Sequence, residues 1–257
     1  MPASDLDLLA EAAQAAGEIA ARHWRRSPYV WDKPGHQGPV SEADLEIDAM
    51  LRARLLAARP GYGWLSEETE DSAGRLDDEH VFIVDPLDGT RAFLNGERGF
   101  AHALAVARAG RVIAAVVYLP MEKRLYSARK GAGASLNGTP IRATGREDLE
   151  GARVLTAGPA LAEEHWQGPP PVLKRSLRAS LAYRMCLVAE GRYDAMLTLR
   201  DSWDWDTAAG TLIAKEAGAR VSDRRGRALE FNTPHPVSQG VVVAGPALHD
   251  ALMQRLA

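Results

Sequence analysis

The chain has 257 residues, 46% hydrophobic and 25% charged, an ordinary globular composition with room for one large core or two small ones. Its net charge of −3 argues against a nucleic-acid polymer as partner, because a phosphate backbone calls for a basic surface. One cysteine (Cys186) leaves no internal disulfide, no apolar run nears the roughly 18 residues of a membrane span, and the start MPASDLDLLAEAAQ lacks a signal-peptide pattern, so a cytoplasmic location is the expectation.

Residues 4–24 read as an amphipathic helix, with Ser4 as cap, Asp7 as its capping-box partner, and Leu6, Leu9, Ala13, Ala16 and Ala20 at helical spacing. The Pro- and Gly-rich stretch from Pro28 to Pro39 reads as a loop. A second helix is predicted from Ser41 to about Arg59, with Leu45, Leu51 and Leu55 on one face and Pro60-Gly61 as its stop. Strand signals follow at Val81–Val84, His102–Arg108, Arg111–Leu119, Leu125–Ala128 and Ala134–Leu136, with turns at Ala109-Gly110 and Asn137-Gly138. Beyond them come a strand at Val154–Ala157, a Pro-rich loop at Gly168–Pro171, a helix from Ser180 to Glu190 and a strand at Tyr193–Leu199. A helix at Asp206–Ala217, a strand at Val241–Ala244 and a helix at Pro246–Leu256 complete the chain. Strands and helices mix throughout, which predicts a layered α/β arrangement of two packed lobes, 1–145 and 146–257.

Three acidic clusters stand out: Glu67-Glu68, Asp85-Pro86-Leu87-Asp88-Gly89-Thr90, and Asp206 in WDWDTAAG. In the second, two carboxylates close a buried apolar strand, where unpaired acids are costly. A hard divalent cation is their natural partner, and the Leu87 carbonyl adds a neutral oxygen. If a helix starts after Gly89, the amides of Gly89 and Thr90 face whatever anion the metals hold. Each cluster also has a plainer reading. Asp is a turn former, paired glutamates usually sit on a solvated face, and Asp before a helix is a cap. Spacing alone leaves Asp204 and Asp206 as equals, and Asp44 by itself reads as a capping-box residue after Ser41.

Taken together, Asp44, Glu67-Glu68, Asp85-Pro86-Leu87-Asp88-Gly89-Thr90 and Trp205-Asp206, with eleven residues between Asp206 and Gly218, resemble the inositol monophosphatase superfamily of lithium-sensitive Mg²⁺ phosphatases. The one departure in this pattern is Ala219 where a second glycine is usual. The resemblance implies an αβαβα sandwich of the sugar-phosphatase type, commonly a homodimer, with two to three Mg²⁺ per site. It implies Glu67, Asp85, the Leu87 carbonyl, Asp88 and Asp206 as metal ligands, with Glu68 assisting a weaker ion. It selects Asp206 over Asp204, and makes Asp44 and Thr90 the pair that orients and deprotonates the attacking water, with Glu67 beside them in the catalytic set.

Substrate choice rests on finer resemblance. Arg91 after Thr90, the segment SLAYRMCLVAEG and the WDTAAG form are similar to 3′(2′),5′-bisphosphate nucleotidases of the CysQ type. That makes adenosine 3′,5′-bisphosphate the first expectation, its second phosphate meeting Arg91, Arg184 or Arg200, with Gly89, Thr90 and Asp206 also touching substrate. The run Gly191-Arg192-Tyr193-Asp194-Ala195 instead resembles the inositol branch, so inositol 1-phosphate is the alternative, with another sugar phosphate such as fructose 1,6-bisphosphate behind it. A non-catalytic phosphate-binding regulator is the reading from a different class. Retention of both Asp44 and Thr90 speaks against it.

Overall fold

The structure is a computed structural model that describes residues 3–26, 28–32 and 38–257. Helix α1 (Asp5–His23) starts on Ser4, whose Oγ accepts from the Asp7 amide, and helix α2 (Glu42–Ala58) starts on Ser41 with Asp44 as its capping-box partner. The buried face of α2 is Ala43, Asp44, Ile47, Asp48, Leu51 and Leu55. Leu45, expected on that face, is 40% exposed, because a residue one position from Asp44 points about 100° away from it. The expected loop at Pro28–Pro39 instead carries a short antiparallel ribbon, Val30–Asp32 against Pro39–Ser41; its middle, 33–37, lies outside the described residues.

Seven strands form the larger sheet in chain order: Gly63–Ser66, His80–Asp88, Ala101–Arg108, Arg111–Leu119, Arg124–Arg129, Ala134–Leu136 and Thr139–Pro140. The first pair is parallel and the rest antiparallel. Leu9, Leu51 and Leu55 of α1 and α2 pack on Phe82, Val84, Leu104 and Val116 of one face. Val81, Ile83, Ala105 and Val117 of the other face pack on helices further along the chain. Covered on both sides, the His80–Asp88 strand reads as an unbroken apolar run in its first half.

The short helix α3 (Thr90–Leu94) follows that strand, and α4 (Leu181–Ala189) and α5 (Asp204–Glu216) form the middle layer. α4 and α5 approach closely at Gly210, where a Cβ would fall 2.7 Å from Met185 Sδ. Cys186 sits fully buried in this layer, as plain core. The second sheet has the order Lys174–Ser176, Arg153–Thr156, Ala195–Thr198, Val241–Ala244, Arg220–Ser222. Four of them run the same way, and only Val241–Ala244, between Ala195–Thr198 and Arg220–Ser222, runs against the rest. Met196, Val221 and Val243 face α4 and α5, while Leu248 and Leu252 of α6 (Pro246–Arg255) cover Val154, Leu197 and Val242 on the outer face. The layers therefore run α, β, α, β, α, as the resemblance implies. Among the described residues no helix is long and apolar enough to cross a membrane.

Two local differences from the sequence reading matter for the site. The strand predicted to end at Val84 runs on to Asp88 through a bulge between Asp85 and Asp88. The helix predicted to start at Asp206 starts at Asp204, so Asp206 is not the cap itself; from the third position its Oδ2 accepts from the Trp203 amide at 3.3 Å.

Candidate active site

The bulged end of the His80–Asp88 strand meets the N-termini of α2, α4 and α5. Asp85, Asp88 and Asp206 come from two distant parts of the chain, and their carboxylate oxygens lie within 4.8 Å of one another. Helix N-termini carry partial positive charge, which makes this corner tolerable for acids and attractive to anions.

Each acid is held differently. Asp85 Oδ1 accepts from the Leu87 amide at 2.9 Å, while its Oδ2 is buried with no hydrogen-bond partner among the described residues. Asp88 accepts from Ser180 Oγ at 2.7 Å and from the amides of Leu181 and Ala182 at 3.2 and 2.7 Å, so it helps cap α4 from across the molecule. Burial, then the neighbouring Glu67 and Asp88, push Asp85 well above the usual carboxylate range. Burial also raises Asp88, opposed by its hydrogen bonds from Ser180 and Ala182. Asp206 is pushed up to about 8 by burial and by Asp88 and Glu67. A buried acid with an orphaned oxygen beside two others is a poor structure by itself and a good cage for a hard cation with oxygen ligands. The donor set of Asp85, Asp88 and Asp206 is one that could hold Mg²⁺.

A cavity of about 440 Å³ opens from this cluster, lined by Glu67, Asp88, Gly89, Thr90, Arg91, Arg200, Trp203, Trp205 and Asp206 among others. Glu67 is half-buried there and close enough to raise Asp85 and Asp206, though it stands outside the 4.8 Å group. Glu68 adds a smaller charge effect on Asp85 than Glu67 does. Gly89 takes φ +100° with ψ 38°, which turns the chain from strand into α3. A Cβ there would sit 3.5 Å from Gly99 O, Phe100 Cα and Ser180 N.

Asp44, readable from sequence as a cap or as part of the site, caps α2 and also reaches Thr90. Its Oδ2 accepts from the Ser41 amide and hydroxyl at 2.8 and 2.5 Å, and its Oδ1 lies 3.0 Å from Thr90 Oγ1. Burial raises its carboxyl, offset by these bonds. Thr90 Oγ1 also lies 3.2 Å from Leu87 O. Asp204, the competitor of Asp206, turns away: its Oδ2 accepts from the Asn232 amide at 2.8 Å, and burial pushes it up to about 7.

The arginines separate. Arg91 and Arg200 line the metal cavity. Arg184 does not; it is 7% exposed and lines an adjoining cavity of about 530 Å³ that shares Ala179 and Arg200 with the first. Trp203 and Trp205, equally explicable from sequence as packing, stack 4.7 Å apart at 7° and wall the metal cavity. The sequence reading missed the part of Ser180 in holding Asp88, though it marked Ser180 as a helix start. It had no signal for His102, whose Nδ1 lies 2.5 Å from Pro86 O.

The sequence pattern of the inositol monophosphatase family matches residues 3–257. The chain belongs to this family. It is 35% identical over 253 residues to an inositol-1-monophosphatase of Rhizobium meliloti, covering 93% of this chain and 91% of that one. It is 32% identical to the Nus factor SuhB of Vibrio cholerae, covering 98% and 95%. Among solved structures, the IMPase of Thermotoga maritima superposes with TM-score 0.83 at 28% identity, covering 97% of this chain and 95% of that chain. The extragenic suppressor protein suhB of Bartonella henselae gives 0.82 at 29%, covering 96% of each. The family's members are phosphatases that use Mg²⁺, and this chain is a phosphatase of that kind.

Proposed function

We propose that this enzyme hydrolyses inositol monophosphate, freeing inorganic phosphate. The buried Asp85 and Asp88 with the half-buried Asp206, beside the Asp44–Thr90 pair, carry the hydrolytic part of this reading. The names of the relatives supply the inositol part, and they move it ahead of the bisphosphate nucleotide that the sequence alone put first.

Mg²⁺, when bound, supplies charge neutralisation and Lewis acidity at the phosphoryl group. The chain's own residues do the rest. Asp85, Asp88, Asp206 and Glu67 would hold the cation, with Glu68 as a further negative charge. Thr90, with its hydroxyl proton given to Asp44 Oδ1, turns oxygen lone pairs toward the cavity and accepts a hydrogen bond from the attacking water. The proton then passes through Thr90 Oγ1 to Asp44, whose raised affinity for protons suits it as the final acceptor. The backbone of Gly89 and Thr90 and the side chain of Arg91 meet the phosphate at the cavity wall.

One observation favours a second reading. Arg184 and Arg200 line the adjoining cavity together; Arg184 feels the attraction of Asp88 and the repulsion of Arg200, and neither arginine has a carboxylate within ion-pair distance among the described residues. A substrate with a second anionic group, such as adenosine 3′,5′-bisphosphate, would fill that gap. Comparing kcat/KM for inositol 1-phosphate, adenosine 3′,5′-bisphosphate and fructose 1,6-bisphosphate under saturating Mg²⁺ tests both. A clear preference for inositol 1-phosphate is the expected result. Preference for either bisphosphate, lost in Arg200→Ala, overturns it in favour of the two-anion reading.

A further inference from the structure

His102 is fully buried on the Ala101–Arg108 strand, on the face that also carries Phe100, Leu104 and Val106. Its neighbours there are rings: Phe100 at 6.3 Å and Tyr118 at 6.4 Å between centroids. An imidazole is an odd choice for so apolar a layer, and its Nε2 is buried with no partner among the described residues. What it gains is at the other nitrogen, 2.5 Å from the Pro86 carbonyl. A carbonyl can only accept, so Nδ1 carries the proton and donates it.

The reason Pro86 needs a donor lies in the bulge. Asp85 pairs with Ala103 and Asp88 with Ala101, so three steps on one strand oppose two on the other. A bulge of this kind breaks the ladder locally and leaves a buried backbone group to be satisfied by other means. The imidazole takes the place of the missing ladder bond.

We infer that His102 is a positioning residue for the metal centre: by holding the Pro86 carbonyl it fixes the Pro86–Leu87 peptide plane and, through that plane, the carboxylate of Asp85. The carbonyl and the amide hydrogen of one trans peptide point in opposite directions. With the Pro86 oxygen clamped by His102, the Leu87 N–H is aimed at Asp85 Oδ1, 2.9 Å away. That bond occupies one oxygen of Asp85 and leaves the other, Oδ2, buried and unpartnered in the acidic cluster. The same plane sets the direction from which the Leu87 carbonyl and Asp88 follow. His102 touches neither cation nor substrate; it acts through one peptide.

The inference rests on the metal reading of the cluster but not on the identity of the substrate, so the test is metal binding without substrate. Calorimetric titration of the metal-free enzyme with Mg²⁺ is done for wild type, His102→Leu, His102→Asn and Asp85→Asn, alongside melting in chelator. Leucine fills the space and removes the donor; asparagine places an amide N–H near the position of Nδ1. Loss of an outer partner of a metal ligand typically weakens binding roughly 10- to 100-fold. His102→Leu is expected to bind Mg²⁺ at least about 10-fold more weakly, with its activity loss concentrated in the Mg²⁺ requirement instead of in kcat. His102→Asn is expected to recover most of the affinity. Unchanged Mg²⁺ affinity in His102→Leu, with only its melting point in chelator altered, would make His102 ordinary core and overturn the inference. So would His102→Asn binding as weakly as His102→Leu. If His102→Leu does not fold, His102→Asn decides: wild-type-like affinity supports the clamp and loss of affinity in a folded protein refutes it. Unchanged affinity in Asp85→Asn would instead remove the metal reading on which the inference stands.

Discussion

Asp206→Asn separates what the acidic cluster does for catalysis from what it costs the fold. The asparagine oxygen can still accept from the Trp203 amide, so the start of α5 is preserved while one charge goes. Two carboxylates within 4.8 Å repel by roughly 3.5 kcal/mol at an effective dielectric constant of about 20. The titration of Asp206 gives a similar scale: raised to about 8 from its ordinary 3.8, it makes the ionised metal-free fold costlier by on the order of 6 kcal/mol. Because the folded pKa is the higher one, the unfolded chain holds fewer protons between those two values. Metal-free stability therefore falls as pH rises from about 4 to about 8 and then levels off. The variant lacks this slope. In chelator at pH 8.5, a gain of about 3 kcal/mol corresponds to a melting point roughly 6–12 °C above wild type for a chain of this size. The gap should narrow at pH 6 and close near pH 4. Added Mg²⁺ should stabilise wild type and leave the variant nearly unmoved, while turnover falls by at least about 100-fold. A variant that melts at or below wild type in chelator at pH 8.5 would refute the claim that like charges are packed here for a cation.

Asp204→Asn should keep Mg²⁺-dependent turnover, while flattening the loss of stability that the Asp204 carboxyl, raised to about 7, imposes between about pH 4 and 7; melting curves across pH check the second part. Asp44→Asn should lower kcat by roughly 10²–10⁴-fold, the range for a lost general base, yet keep the Mg²⁺-induced rise in melting point. An abolished rise would place Asp44 among the ligands. Gly89→Ala must adopt φ +100° with a side chain and should lose about 1–2 kcal/mol in urea unfolding, along with most activity, since the turn into α3 carries Thr90. Free energy unchanged within error would mean that the turn relaxes.

Much of this protein was legible in its sequence. Helical spacing located α1 and α4 within a residue or two, because burying one face of a helix leaves a period in the chain. The apolar run Val81–Val84 closed by two acids marked the centre of the site, since such acids need a partner wherever they end up. What a linear pattern could not decide was direction. Asp204 and Asp206 are chemically alike and two positions apart, yet on a helix that spacing turns them about 200° from each other. The packing of α5 between the two sheets sends Asp206 to Asp85 and Asp88, and Asp204 to the Asn232 amide. Leu45, one position from Asp44, points outward through a turn of about 100°. Nor does any local signal reveal that His102 lies across from Pro86, because strand register is fixed by a bulge in a different strand. Residue chemistry is written locally and supplied the site's ingredients; which atoms meet depends on how whole helices and strands are rotated and registered against one another, and only the packed molecule settles that.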